Sequence, residues 1–272
     1  MKERTGKQTG NSKQVQRQIE TNQIPADIPA DIPAEITVYE TAELYGERGR
    51  FRVLQFGDGA VQGAMDINRP ERIILEYPWA MLHLLEHNVP DYDKVFMIGL
   101  GAGTLAAHLE AAGRQVLVAE IDERVADFSR SHFGYAGSTV RIGDGRRILE
   151  EQPAAGFDGM IIDAFTEKGT PRHLISSPFF GLAAEKLRPE GIVLLNVFGR
   201  SKHDELMAAI VTTLQVHFAY VRVFSLPAEH THDKRNMVIA GSRQPIGYDR
   251  RHMAGFVEIE VQEGYIIRDR SW

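Results

Sequence analysis

The sequence predicts an α/β chain: a mainly parallel sheet with helices on both faces, preceded by a small antiparallel β module. Three observations predict it. From residue 94 onward, short apolar runs alternate with helix-like stretches, which is the pattern of parallel strands joined by crossover helices. The first run, Lys94-Val-Phe-Met-Ile98, ends in a glycine-rich turn, and the second, Val116-Leu-Val-Ala119, ends on the acids Glu120 and Asp122. Ahead of them, residues 36–66 read as alternating strands around the turn Gly57-Asp-Gly59, a hairpin signal.

In chain order, residues 1–35 read as a leader and linker. Residues 1–22 are rich in Gln, Thr, Asn, Lys and Arg and nearly devoid of apolar side chains. Such a segment buries too little surface to offset its ordering entropy and is expected to be disordered. Three four-residue repeats follow, beginning at Pro25, Pro29 and Pro33, where recurring proline favours an extended spacer. Residues 36–70 form the small β module. Residues 71–88 read as a helix with Ile74, Trp79, Leu82 and Leu85 among its apolar positions. Strands are expected near 94–100, 115–121, 139–143, 157–163, 191–198, 219–224 and 236–241, with helices near 103–113, 123–133, 145–151, 176–187 and 202–215. Pro178 suits a helix's first turn, and Gly191 a stop signal. No helix separates the last two strands, so the final one is expected to insert antiparallel. Seven strands with that ending suit a class I methyltransferase-like (Rossmann-like) sheet, here spanning residues 71–250, with 251–272 as a C-terminal extension.

Composition narrows the function classes. The chain has 272 residues and a net charge of −6, which argues against a general nucleic-acid binder. With no cysteine, it can hold no disulfide, zinc–thiolate site or cysteine nucleophile. No apolar run approaches the roughly 18 residues of a membrane span, and the polar N-terminus is not that of a signal peptide. A cytoplasmic protein with no membrane or nucleic-acid partner is expected.

A strand, a glycine turn, a helix and a second strand ending on an acid make a unit suited to a nucleoside. Glycines let the backbone approach a ligand closely, a helix start offers unpaired N–H groups, and the terminal acid can accept from both ribose hydroxyls. Gly99, Gly101 and Gly103 read G-x-G-x-G. The dinucleotide fingerprint needs glycine or alanine where Thr104 stands, so an adenosyl sulfonium fits better than NAD. Ligands of such sheets bind outside the carboxyl ends of the strands. There lie Gly99–Gly103, Glu120 with Ile121, Asp144 and Gly145, the segment from Asp163 through Phe165 and Thr166 to Glu167 and Gly169, and, after the fifth strand, Asn196-Val-Phe-Gly-Arg200. Asp144 can accept from an adenine amino group or simply cap the helix from Gly145. Asp163 stands where an acceptor would meet a donor, or forms a turn. Phe165 lines the cavity or packs. Glu229-His-Thr-His232-Asp233 could ligate a metal through His230, His232 and an acid, but no further ligand stands nearby. It reads instead as a polar loop bordering the acceptor site, and no metal is expected.

These residues resemble the spermidine synthases and their relatives, the polyamine aminopropyltransferases. The resemblance rests on Ile98-Gly-Leu-Gly-Ala-Gly-Thr104, Val118-Ala-Glu-Ile-Asp122, Ile142-Gly-Asp-Gly145 and Ile161-Ile-Asp163. In the front module it rests on Asp58-Gly-Ala-Val-Gln62 and Tyr77-Pro-Trp-Ala-Met-Leu-His83. It implies transfer of an aminopropyl group from decarboxylated S-adenosylmethionine to an amine such as putrescine. Glu120 would hold the ribose, Asp144 and Gly145 the adenine, and Gln62 the donor near the acceptor, with Tyr77, Phe165 and Thr166 on the acceptor side. Asp163 would bind the amine and help deprotonate it. The family pattern has an acid where Ala102 stands, a second aspartate where Thr166 stands, and His-Glu where Pro78-Trp79 stand; Glu167 is a substitute base one position on. The expected function is therefore a transferase of the aminopropyl type. Two alternatives remain: a methyltransferase using intact S-adenosylmethionine, with Phe165, Trp79 and Phe198 facing a less charged acceptor, and a nucleoside-binding relative without turnover. Relatives are commonly dimers or tetramers, and a homodimer is expected.

Overall fold

The computed structural model describes residues 16–23, 35–57, 59, 61–137, 139–166, 169–200, 204–227 and 233–269. Residues 24–34, with the proline repeats, lie outside them, as do Asp58, Glu167 and residues 228–232 with both histidines of the candidate metal loop.

The front module is a four-stranded antiparallel sheet of β1 (Arg17–Gln23), β2 (Glu35–Leu44), β3 (Glu47–Phe56) and β4 (Val61–Asp66), in that spatial order. β2 and β3 meet at Tyr45-Gly46, both with positive φ, as a two-residue hairpin turn requires. The composition of residues 17–22 predicts a disordered leader; instead they form β1, paired along β2. An edge strand needs little apolar surface when its backbone bonds are completed by a neighbour and its polar side chains face solvent. Here Thr21 Oγ1 meets Thr37 Oγ1 at 3.1 Å, and Glu20 Oε2 lies 2.8 Å from His132 Nε2 on the adjoining domain.

The main sheet combines β5 (Lys94–Ile98), β6 (Gln115–Glu120), β7 (Val140–Ile142), β8 (Phe157–Ile162), β9 (Leu187–Gly199), β10 (Tyr220–Ser225), β11 (Arg235–Ser242) and β12 (Val257–Ile259). Its order is β12-β10-β11-β9-β8-β5-β6-β7. β5 to β9 run parallel, and β11 inserts antiparallel between β9 and β10. That is the class I methyltransferase-like arrangement expected, with β12 added as an eighth strand at the edge.

Period-two alternation divides the core. Val95 and Met97 of β5 join one apolar cluster with α1 (Glu76–Asn88), α2 (Thr104–Ala111) and α3 (Glu123–Phe133). Phe96 and Ile98 face the other, with α4 (Gly145–Glu150), α5 (Ser177–Lys186) and α6 (Glu205–Gln215). Both clusters are buried, so the parallel strands read as continuous apolar runs.

Two boundaries differ most from those the sequence predicts. α1 begins at Glu76 rather than near residue 71. Pro78 sits in its first turn, and a proline ring clashes with the carbonyl four residues back, so the helix cannot extend upstream. β9 begins at Leu187, four residues before Gly191. Pro189 forces its predecessor extended, and the pairing with β8 shifts register between Phe157 and Gly159 to absorb it. Among the described residues no helix is long and apolar enough to cross a membrane.

One buried acid ties the entry of β5 to β8. Asp158, 4% exposed, accepts from the backbone N–H groups of Asp93 and Lys94, both at 2.9 Å, and from Arg188 Nη1 at 2.6 Å. Asp158→Ala strands these donors and is expected to cost about 3 kcal/mol in urea unfolding. Asp158→Asn, which keeps an acceptor, should cost visibly less; equal losses would mean that the charge and not the backbone bonds matters.

Candidate functional site

Three glycines with no room for a side chain build the site. Gly99, φ +95°, follows β5 with its Cα against the Asp163 carbonyl, so that a Cβ there would overlap that oxygen. At Gly101 a Cβ would lie 2.5 Å from the Gln62 carbonyl oxygen of β4. Conversely, a Cβ on Gly63 would lie 2.5 Å from that of Ala102, which is 3% exposed. The glycine turn is thus clasped between the front module and the end of β8. Gly103, by contrast, serves as the left-handed cap of α2 and packs against the Tyr135 ring, outside the cavity.

The cavity opens at the carboxyl ends of β5, β6 and β8. Gln62, Tyr77, Gly99, Gly101, Glu120, Ile121, Asp144, Gly145, Asp163, Phe165 and Thr166 all line it. So do residues that sequence reasoning gave no role: Asn196 of β9, Asn236 of β11, and Pro171, His173 and Leu174 of the loop before α5. Of the aromatic residues considered for a less charged acceptor, only Phe165 is there. Trp79 stacks edge-on against His108 and donates its indole N–H to the Ile73 carbonyl, and Phe198 is exposed at the end of β9.

Among the described residues, four carboxylates line the cavity in four different environments. Glu120, 6% exposed, accepts the Leu100 N–H at 2.9 Å and the Asp122 N–H at 3.0 Å. Burial outweighs these bonds and pushes its carboxyl up to about 7. Asp122 caps α3 through the Arg124 N–H and is gripped by the Arg124 guanidinium at 2.6 Å. Asp144 lies 2.8 Å from His173 Nε2 and accepts the Arg147 N–H at 3.0 Å. The histidine contact holds its carboxyl down at about 2. Asp144 therefore caps α4, one of its two sequence readings, and still faces the cavity. Asp163 accepts from the Tyr77 hydroxyl at 2.7 Å and from Asn196 Nδ2 at 2.8 Å, and Asn236 Nδ2 in turn donates to Asn196 Oδ1 at 2.9 Å. Burial raises the Asp163 carboxyl, against those two bonds. Thr166 closes its loop onto Gly169 with paired backbone bonds of 2.9 Å. The sequence places Asn196 at the ligand end of its strand without assigning it a role and does not single out Asn236, because their link to Asp163 runs across strands.

Known proteins resemble this chain in sequence and in fold. The model of the spermine/spermidine synthase domain matches residues 75–243. Spermidine synthase 1 of Pisum sativum is 28% identical over 177 residues, 60% of this chain and 53% of that protein. Putrescine N-methyltransferase 1 of Nicotiana tabacum is 28% identical over 185 residues, 62% of this chain and 48% of that one. The chain spans about half the length of these curated relatives. A solved probable spermidine synthase from Corynebacterium glutamicum superposes with a TM-score of 0.68 at 19% identity, covering 78% of each chain, a likeness of fold.

The raised Glu120 has a consequence for stability. The unfolded chain ionises this group near 4.5 and the folded chain near about 7. Between these values the folded state holds the extra proton, so the contribution is most favourable below 4.5 and is lost as pH rises through about 7. Urea unfolding should show a decline of up to about 3 kcal/mol across this window attributable to Glu120. Glu120→Gln should flatten it; an unchanged pH dependence in that variant would refute the assignment.

Proposed function

The chain belongs to the spermine/spermidine synthase domain family, and from that premise we propose that it is a transferase moving an alkyl group from an S-adenosyl sulfonium donor to a small amine. Aminopropyl transfer from decarboxylated S-adenosylmethionine is the first reading. The observation that carries it is Asp163, a half-buried carboxylate held by Tyr77 and Asn196 in a cavity whose other walls carry Glu120 and Asp144.

In this reading Glu120 receives the ribose. Each of its oxygens already takes one backbone N–H and keeps a lone-pair site for a hydroxyl. Asp144, Gly145 and the Ile121 backbone take the adenine, and Gln62 the donor's reacting end. The amine nitrogen attacks the carbon beside the sulfonium. The new C–N bond forms as the C–S bond breaks, its electron pair passes to sulfur, and a neutral thioether leaves. The nitrogen's proton goes to Asp163, with Glu167 as the second candidate base. Tyr77 and Asn196 fix the orientation of Asp163, and burial, by raising its carboxyl, makes it a better proton acceptor than an exposed aspartate. Rate enhancement comes mainly from alignment of nitrogen, carbon and sulfur.

A second reading, methyl transfer from intact S-adenosylmethionine, is favoured by Ala102. The family's acid at this place pairs with the donor ammonium; here alanine is pressed against Gly63, with no space for a carboxylate.

Incubating the protein with each donor and putrescine separates these readings. Methylthioadenosine release indicates aminopropyl transfer and S-adenosylhomocysteine release indicates methyl transfer. Absence of both with every polyamine tried would leave only nucleoside binding. Asp163→Asn is expected to lower kcat by about 10²-fold or more with donor affinity little changed. Activity should fall on acidification through a pKa above the ordinary carboxylate range, because Asp163 accepts a proton only when ionised.

A further inference from the structure

Residues 244–272 lie beyond the stretch matched by the family model, yet part of this segment reaches the wall of the candidate nucleoside site. After β12 the chain rides on α6. The Gly264 N–H donates to Thr212 Oγ1 at 2.8 Å, the Ile267 N–H donates to Thr213 Oγ1 at 2.9 Å, and a Cβ on Gly264 would lie 2.5 Å from the Ala208 carbonyl carbon. Ile267 is fully buried in the core on that face of the sheet.

From there the segment caps α5. The Ile267 carbonyl accepts the Ser177 N–H at 2.8 Å, one of the donors that a helix start leaves unpaired. Ser176 occupies the N-cap position, but its hydroxyl does not cap the helix; it donates to Asp269 Oδ1 at 2.6 Å. The other partner of Asp269 is Arg146 of α4, whose Nη1 lies 2.9 and 3.1 Å from its two oxygens. The same Nη1 reaches the His173 carbonyl at 3.5 Å. One carboxylate thus joins the starts of α4 and α5 across the loop that carries Pro171, His173 and Leu174 into the cavity, with His173 against Asp144.

We propose that Asp269 is a positioning residue: the C-terminal segment straps this loop against Asp144 and sets the base end of the nucleoside site. The inference rests on the reading that the cavity takes an adenosyl group. Its physical core is a competition. Arg146 has a second carboxylate on its own helix, Glu150, at 3.5 Å. With Asp269 present, the guanidinium spans to the loop; without it, Glu150 holds the arginine, and the His173 carbonyl and Ser176 hydroxyl lose their common anchor.

The test is calorimetric titration of the full chain with S-adenosylhomocysteine and with 5′-methylthioadenosine. Asp269 is 39% exposed at its side chain, so the expected loss on Asp269→Ala is modest, about three- to fivefold in affinity for both probes. Ser176→Ala should give a similar loss, and the double variant no more than the larger single one, because both changes break the same anchor. Asp269→Asn, which keeps an acceptor for Ser176, should recover part of it. Arg268→Ala, one residue away and exposed, is the control with wild-type affinity. In turnover, Asp269→Ala should raise the donor KM while kcat at saturating donor stays within about twofold. Wild-type affinity in Asp269→Ala, with or without a lowered melting temperature, would overturn the strap. Failure of the unmodified chain to bind either probe would overturn the nucleoside reading itself, and the strap with it.

Discussion

The architecture depends on missing side chains at one turn. β5 delivers the chain to Gly99, whose Cα lies where any Cβ would strike the Asp163 carbonyl, and Gly101 approaches the Gln62 carbonyl in the same way. A third glycine, Gly63, repeats this from the opposite side against Ala102. Backbone approach this close is available only where no Cβ intervenes. It brings together three segments distant in sequence: the front module, the first turn of the main domain and the loop after β8. It also turns the Leu100 N–H onto Glu120. Remove the approach and the cavity loses two walls and one of the bonds that orient Glu120.

Around that joint, one residue class is set to several uses by environment alone. Burial holds Glu120 near neutrality, a histidine holds Asp144 in its charged form, an arginine accompanies Asp122, and two neutral donors hold Asp163. Desolvation and hydrogen bonding act in opposite directions on a carboxyl. At Glu120 and Asp163 desolvation wins; at Asp144, half-open to solvent and hydrogen-bonded to His173, it loses.

Much of this was legible in the sequence because it is local. A glycine turn after an apolar run, acids closing successive runs and the strand–helix alternation are all patterns within a few residues, and they placed the cavity's main walls. What escaped is non-local. β1 has no apolar signature because its pairing is supplied by β2 and its side chains by solvent. Asn196 matters because β9 lies beside β8, and Asn236 because β11 inserts beside β9, bringing residues forty positions apart to one hydrogen bond. His173 and Asp269 meet the site through loops whose course no periodicity encodes. Trp79 and Phe198 were misplaced for the converse reason: they are near the site in sequence, but helix and strand geometry points them away.

The distribution of partners also constrains the chemistry that the cavity can host. Of the described carboxylates lining it, Asp122 has Arg124 and Asp144 has His173 within ion-pair distance, and Glu120 carries much of its proton near neutral pH. Asp163 is held by groups that orient it without cancelling its charge. A cationic group entering the cavity would therefore meet its strongest attraction at one point, because a charge pair in a partly enclosed site interacts more strongly than in water. At Ala102 such attraction is absent, and the packing explains why it cannot be restored by one substitution. Alanine and Gly63 fill the same space from two sides, so a carboxylate there requires β4 to retreat, and β4 is what carries Gln62 to the site. The charge pattern and the backbone packing are one constraint: the surface that closes the cavity on the front module also makes it poor in acids on that side.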